Sequence, residues 1–228
     1  VKKTLWTIAT VLIGAALIAV VGLGFHSQFY KAKVGWTKAQ AAGTVTLANG
    51  QVVPHVVLKL DSFPDSSGMF NGVPIHKGGN PGWPAYGPSN EYSIPAHALV
   101  TVVWDQRDSG GQINNPYFAI PHGTVGPITL NGKAINPSVG IDPSNVGHTF
   151  TVRAVPGYDP NFFLSVAAPA DGDSPVDSSA PQVMKFSFVS PSKGLYAWNC
   201  EFPCGTGIGG FGAVMGAYGY MSGYLHVV

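Results

Sequence analysis

The sequence predicts an all-β protein, an antiparallel sandwich of short strands behind one N-terminal transmembrane helix. Three observations predict it. A run of 21 residues near the N-terminus carries no charge. Nine short runs rich in β-branched and aromatic residues follow it, separated by Gly, Pro, Asn and Ser. No segment after residue 43 shows the apolar period of a helix. Strand-only patterning punctuated by turn residues is the mark of a sandwich or barrel.

The uncharged run is residues 5–25, LWTIATVLIGAALIAVVGLGF. At about 1.5 Å rise per residue it spans about 30 Å, the thickness of a bilayer core. A cleaved secretory signal has a shorter apolar region, about 7–15 residues, closed by a small-x-small site. Here the run is longer and exits into FHSQFYKAK, so an uncleaved signal anchor is expected. Lys2 and Lys3 place the N-terminus in the cytoplasm by the positive-inside rule, although Lys31 and Lys33 weaken the asymmetry. Residues 1–42 are therefore read as anchor and juxtamembrane segment, with 29–42 (FYKAKVGWTKAQAA) continuing as helix up to Gly43. Residues 43–228 are read as a single-pass protein's extracytoplasmic domain, in a compartment where cysteines are open to oxidation.

Strands are expected at 44–47, 55–61, 99–105, 128–131, 148–155, 162–167, 183–189, 195–199 and 220–228. The alternation of Met184, Lys185, Phe186, Ser187 and Phe188 has the period of a strand buried on one face. The segment 62–95 exceeds an ordinary connection, and segments of that length are usually functional or lie against a partner. Its aromatics Phe63, Phe70, Trp83, Tyr86 and Tyr92 favour packing over free chain. The stretch 169–181 (PADGDSPVDSSAP) reads as a solvated loop.

Composition excludes several functions. Charged residues make up 10% of the chain and the net charge is +1, against about 25% charged in a typical domain. That leaves no basic footprint for nucleic acid. There is no G-x-S-x-G elbow and no H-E-x-x-H helix, and Glu91 and Glu201 are the only glutamates. Gly207-x-Gly209 is not followed by the lysine of a phosphate cradle. Acid–base catalysis is not expected, and the low charge suits either an acidic milieu or a domain covered by other subunits of a membrane complex.

Both cysteines lie in one stretch, WNCEFPCGTG, residues 198–207. Tyr196, Trp198 and Cys200 share a strand parity, so Cys200 leaves the strand on the aromatic side. His148 opens the strand HTFTV, Met221 introduces the last strand, and Met215 lies within the glycine-rich stretch 205–219. Thiolate, imidazole and thioether are soft or borderline donors that suit copper. In an oxidising compartment the same cysteines also suit a disulfide across three residues, given Cα atoms within about 7 Å. The residues alone leave both readings open. His122 stands in a loop at the same end and is read as a surface residue. His226 has the parity of Tyr224, and His55, His76 and His97 show no ligand spacing.

Three pieces, Val146-Gly147-His148-Thr149-Phe150, Gly194-x-Tyr196-x-Trp198-x-Cys200 and Met221-x-Gly223-x-Leu225-x-Val227, resemble the cupredoxin family. The element Cys200-Glu201-Phe202-Pro203-Cys204-Gly205 is similar to the copper A loop of cytochrome c oxidase subunit II, in which two cysteines bridge two copper ions. The resemblance covers 146–228 and implies a cupredoxin-like sandwich in a respiratory oxidase-like complex. It implies electron transfer from an external donor, and copper ligation by His148, Cys200, Cys204 and Met221, with the carbonyl of Phe202 beside the metal. Met215 would supply a replacement thioether. The match is incomplete, because Ile208 stands where that loop carries its histidine and Phe211 where it carries its methionine.

Overall fold

The computed structural model describes residues 2–29, 36–64, 69–70, 73–74, 83–108, 114–170, 181–205, 213–217 and 219–228. The chain forms two units, Val1–Lys33 and Val34–Val228. In the first, α1 (Lys2–Phe29) contains the segment Trp6–Leu23, long and apolar enough to cross a membrane. A helix satisfies its own backbone polar groups, which is what hydrocarbon requires of a spanning segment.

The second unit begins in strands. The sequence expects helix through residue 42, but among the described residues of that stretch stand β1 (Thr37–Lys38) and the start of β2 (Gln40–Thr46). Apart from Thr37, the residues here (Lys38, Gln40, Ala41, Ala42) favour helix by propensity, so it is pairing with β7 (Glu91–Ile94) and β3 (Val52–Phe63) that overrides that preference.

One sheet has the order β1-β7-β15-β14-β11-β12, with β7 (Glu91–Ile94), β11 (Val146–Ala154), β12 (Phe163–Pro169), β14 (Gly194–Asn199) and β15 (Ser222–Val227). The other has the order β10-β9-β13-β8-β3-β2. It comprises β3 (Val52–Phe63), β8 (Leu99–Gln106), β9 (Ile128–Leu130), β10 (Lys133–Ile135) and β13 (Gln182–Val189), with β6 (Ala85–Gly87) paired to the end of β3. A small hairpin joins β4 (Met69–Phe70) to β5 (Val73–Pro74). Two four-residue helical turns, α2 (Pro116–Ala119) and α3 (Ala213–Gly216), complete the described elements with a 3₁₀ turn at Pro143–Asn145.

The inner faces follow the alternation in the sequence. Met184, Phe186 and Phe188 of β13 are buried, as are Tyr196 and Trp198 of β14 and Leu58 and Leu60 of β3. Rings from opposite sheets meet in the core: Phe150 and Phe186 lie 6.3 Å apart, Tyr86 and Trp198 4.9 Å. Burying such rings, each removing 150–250 Å² or so from water, dominates the stability of a sandwich.

The sandwich is not wholly antiparallel. β3 runs parallel to β8, and β7 runs parallel to both β1 and β15. A parallel pair needs a crossover of a dozen or more residues, and the long segment between Phe63 and Leu99 is that crossover. It lays β6 on one sheet and β7 on the other, so its aromatics Tyr86 and Tyr92 are fully buried.

Candidate metal centre

Three strand ends converge at one edge of the sandwich. His148 lies near the start of β11, Cys200 follows β14 directly, and Met221 precedes β15. The β11–β12 register shifts between Val146 and His148, and a bulge of this kind re-aims the side chain beside it. Gly147 fits there because a Cβ would meet the backbone of Ala170 at 2.9 Å.

β14 pairs with β11 only as far as Thr151 opposite Asn199, where the chain turns off into the cysteine loop. The groups of Thr149 therefore find other partners. Its N–H donates to Cys200 Sγ at 3.4 Å, its carbonyl accepts the Tyr86 hydroxyl at 2.7 Å, and its hydroxyl accepts the Glu201 N–H at 2.8 Å. The Phe202 N–H also donates to Cys200 Sγ, at 3.4 Å. Gly205, directly after Cys204, adopts φ 95°, a conformation open to glycine, between Val214 and Trp83.

The donor atoms meet. His148 Nδ1 lies 3.2 Å from Cys204 Sγ and 3.7 Å from Cys200 Sγ, and the two sulfurs, present as thiols, are 3.6 Å apart. His148 and Cys200 are fully buried and Cys204 nearly so. The far nitrogen of the ring, Nε2, is 2.7 Å from Asp108 Oδ2.

This triangle suits a metal ion. Bond lengths of about 2.0–2.3 Å at tetrahedral angles put nitrogen and sulfur donors about 3.6 Å apart and two sulfurs about 3.8 Å apart. The observed edges lie within a few tenths of an ångström of those values. Two sulfurs and an imidazole are also the donor types that select copper over magnesium or calcium.

Charge in the cluster is shared. Burial would push the His148 imidazole down, but Asp108 and Cys200 outweigh it and raise its pKa to about 10. Burial pushes Cys200 up, yet hydrogen bonds from Cys204 and His148 hold it well below the ordinary thiol range. Cys204 goes the other way, pushed up by its hydrogen bond to Cys200 and by burial. The cluster therefore favours charge on His148 and Cys200 over charge on Cys204.

Of the residues singled out in the sequence, His148, Cys200 and Cys204 form the cluster. Met215, on α3, places its sulfur 3.1 Å from the Cys204 N–H. Met221 is buried and its carbonyl accepts the Cys200 N–H at 2.9 Å. The Phe202 carbonyl accepts the Cys204 N–H at 2.8 Å. His122 lies apart from the cluster, stacked on Tyr117 with 4.5 Å between centroids, its Nε2 3.1 Å from the Tyr117 carbonyl. Ile208 and Phe211 fall outside the described residues.

Two members were not anticipated as site residues. Asp108 sits just after β8 in the stretch VVWDQRDSGG, where an aspartate beside Ser and Gly reads as turn chemistry. Tyr86, noted only for packing, reaches the cluster because the crossover brings β6 under β11.

No protein-family model and no curated protein matches the chain. Among solved structures it is similar to auracyanin B, at 13% identity over 84% of this chain and 99% of that one, with a TM-score of 0.35. It is similar to rusticyanin from Thiobacillus ferrooxidans, at 17% identity over 76% of this chain and 82% of that one, with a TM-score of 0.33. It is also similar to auracyanin A, a "blue" copper protein from Chloroflexus aurantiacus, at 14% identity over 76% of this chain and 99% of that one, with a TM-score of 0.30. Likeness at this level transfers no residue roles, so the chemistry rests on the side chains described above.

Proposed function

We propose that this chain is a cupredoxin-like copper protein that transfers electrons, anchored by α1 with its sandwich outside the cytoplasmic membrane. The observation that carries the reading is the convergence of His148 Nδ1, Cys200 Sγ and Cys204 Sγ within 4.8 Å of one another. Those three residues would hold the metal, Met215 or Met221 would supply a weaker thioether donor, and the Phe202 carbonyl would sit beside the metal. Bound copper supplies a one-electron couple. The protein's part is to present two sulfurs and one imidazole in fixed positions, and to give up whatever protons Nδ1 and the two thiols carry as metal enters. The cysteine spacing and the anchor favour a place in an oxidase-like respiratory complex, between an external electron donor and a membrane subunit.

A second reading has an observation of its own. Residues 205–219 contain no histidine, so the loop offers no second imidazole. A metal-free docking subunit with Cys200 and Cys204 joined as a disulfide is the alternative.

The test uses the full chain in detergent. Thiols are titrated under denaturant, cupric and cuprous copper are added, and the visible and electron paramagnetic resonance spectra are recorded. Two free thiols and an intense thiolate-to-copper absorption, lost in Cys200→Ser, support electron transfer. Absence of titratable thiols and of bound copper, in the chain and in its native complex alike, refutes it.

A further inference from the structure

Behind the imidazole of His148 a chain of buried polar groups runs into the opposite sheet. We propose that Asp108 is a positioning residue, held by Gln106, Ser62 and Trp104, which fixes His148 so that Nδ1 is the atom presented to the two sulfurs. The metal half of this inference rests on the copper reading above; the orientation half does not.

His148 Nε2–H donates to Asp108 Oδ2 at 2.7 Å, with side-chain exposures of 1% and 10%. Asp108 is itself fastened. The Gln106 amide donates to the Asp108 carbonyl and to the Pro169 carbonyl, both at 3.1 Å, while the Asp108 N–H approaches Gln106 Oε1 at 3.5 Å. Ser62 Oγ donates to the same Gln106 oxygen, and Trp104 Nε1 donates to Ser62 Oγ at 3.0 Å. Ser62, Trp104 and Gln106 are fully buried. They come from β3 and β8 of one sheet, whereas His148 belongs to β11 of the other.

A connected network of this kind is costly to disturb, because each member lost leaves a neighbour unpaired at low dielectric. It fixes the Asp108 main chain, from which the carboxylate reaches His148 as a largely buried group and not as a mobile surface charge. An imidazole offers two nitrogens, and the hydrogen bond made by one decides which remains for a metal. A carboxylate on Nε2–H leaves Nδ1 facing the sulfurs and makes it a stronger donor.

A merely structural Asp108 would neutralise a buried ring without affecting the metal, and the experiment separates the two roles. In Asp108→Ala, copper affinity is expected to fall about 10–100-fold, as for other outer partners of ligating histidines, with altered copper hyperfine coupling. Asp108→Asn keeps an acceptor of the same shape, and should recover part of the affinity and the ring orientation. Both are compared at matched foldedness, checked by thermal melting; if the alanine variant does not fold, the asparagine variant decides, with reduced affinity expected. A variant that keeps wild-type affinity and hyperfine coupling overturns the metal half.

A metal-free measurement settles the orientation half. In ¹H–¹⁵N spectra of the full chain, His148 should show a downfield, exchange-protected Nε2 proton that weakens in Asp108→Asn. If wild type binds no copper, the functional reading fails, but this signal still supports the positioning role. Its absence from the wild-type spectrum overturns that role.

Discussion

Tyr86→Phe removes one oxygen from the wall of the site and leaves the ring. The phenol is fully buried, and its hydroxyl donates to the Thr149 carbonyl at 2.7 Å, where β14 has already turned away from β11. The variant loses a net hydrogen bond and strands a buried carbonyl, a loss of about 1–3 kcal/mol. Ring packing on Trp198, Trp104 and His148 remains. For a domain of this size 1 kcal/mol corresponds to about 2–4 °C, so the melting temperature should fall by about 2–12 °C. Burial and the neighbouring cysteines push the phenol pKa well above its usual 10.0, so the difference should not vary with pH across the neutral range. Differential scanning calorimetry measures it, with Tyr117→Phe, at an exposed ring, as the control expected to stay within about 0.5 kcal/mol. If Tyr86→Phe falls within that same margin, the hydroxyl does not hold the start of β11 and the account of the site's wall is wrong.

Cys200→Ser should abolish thiolate-to-copper absorption, whereas Met215→Leu should leave the absorption and shift the reduction potential; optical titration and potentiometry check the pair. Gly223→Ala would drive a Cβ to 1.8 Å from the Asn90 carbonyl oxygen, forcing β15 off β7; overpacking by at least about 1–3 kcal/mol should appear as a lower midpoint in urea. For the metal-free protein, His148 contributes stability that is full below its unfolded pKa of 6.5 and lost as pH rises through about 10. Cys200, depressed from 9.0, contributes the opposite, stability present above 9.0 and lost as pH falls. The two slopes cancel between 6.5 and 9.0 because a proton leaving Cys200 is matched by one kept on His148. Denaturation measured across pH should therefore show a plateau in that window and a decline on either side.

The alternations in 183–189 and 195–199 could be read as one-sided strands because burial on one face imposes a period of two, and both strands are found. β6 and β7 escaped notice for a local reason: AYG and EYSI are three and four residues long and stand among Gly, Pro, Asn and Ser. The parallel pairings escaped for a non-local one, since which strands become neighbours depends on where a long crossover lands, and periodicity does not record that. The site divides in the same way. Cys200 and Cys204 were legible because they are the chain's two cysteines and the strand parity placed Cys200 on the aromatic side, while His148 stood out among seven histidines only through the resemblance of its strand opening to the cupredoxin pattern. Asp108 was not, because its role depends on a contact 40 residues away, between sheets.

The same crossover explains why the cluster is supported from both sheets. Segment 83–94 reaches the ligand end through several separate contacts. Trp83 meets Tyr220 edge-on at 5.0 Å, the Tyr86 N–H donates to the Tyr220 carbonyl at 2.9 Å, and the Asn90 amide donates to the Tyr220 and Ser222 carbonyls, each at 2.9 Å. These contacts pin the chain on both sides of Met221, whose own carbonyl takes the Cys200 N–H. Asp108, arriving at the end of β8, closes the arrangement on the His148 side. Donors held on opposite flanks by buried hydrogen bonds have little room to rearrange, and a site that changes little in shape loses little energy to reorganisation when its charge changes. The parallel element that departs from a simple antiparallel sandwich is thus what gives the proposed copper site its rigidity.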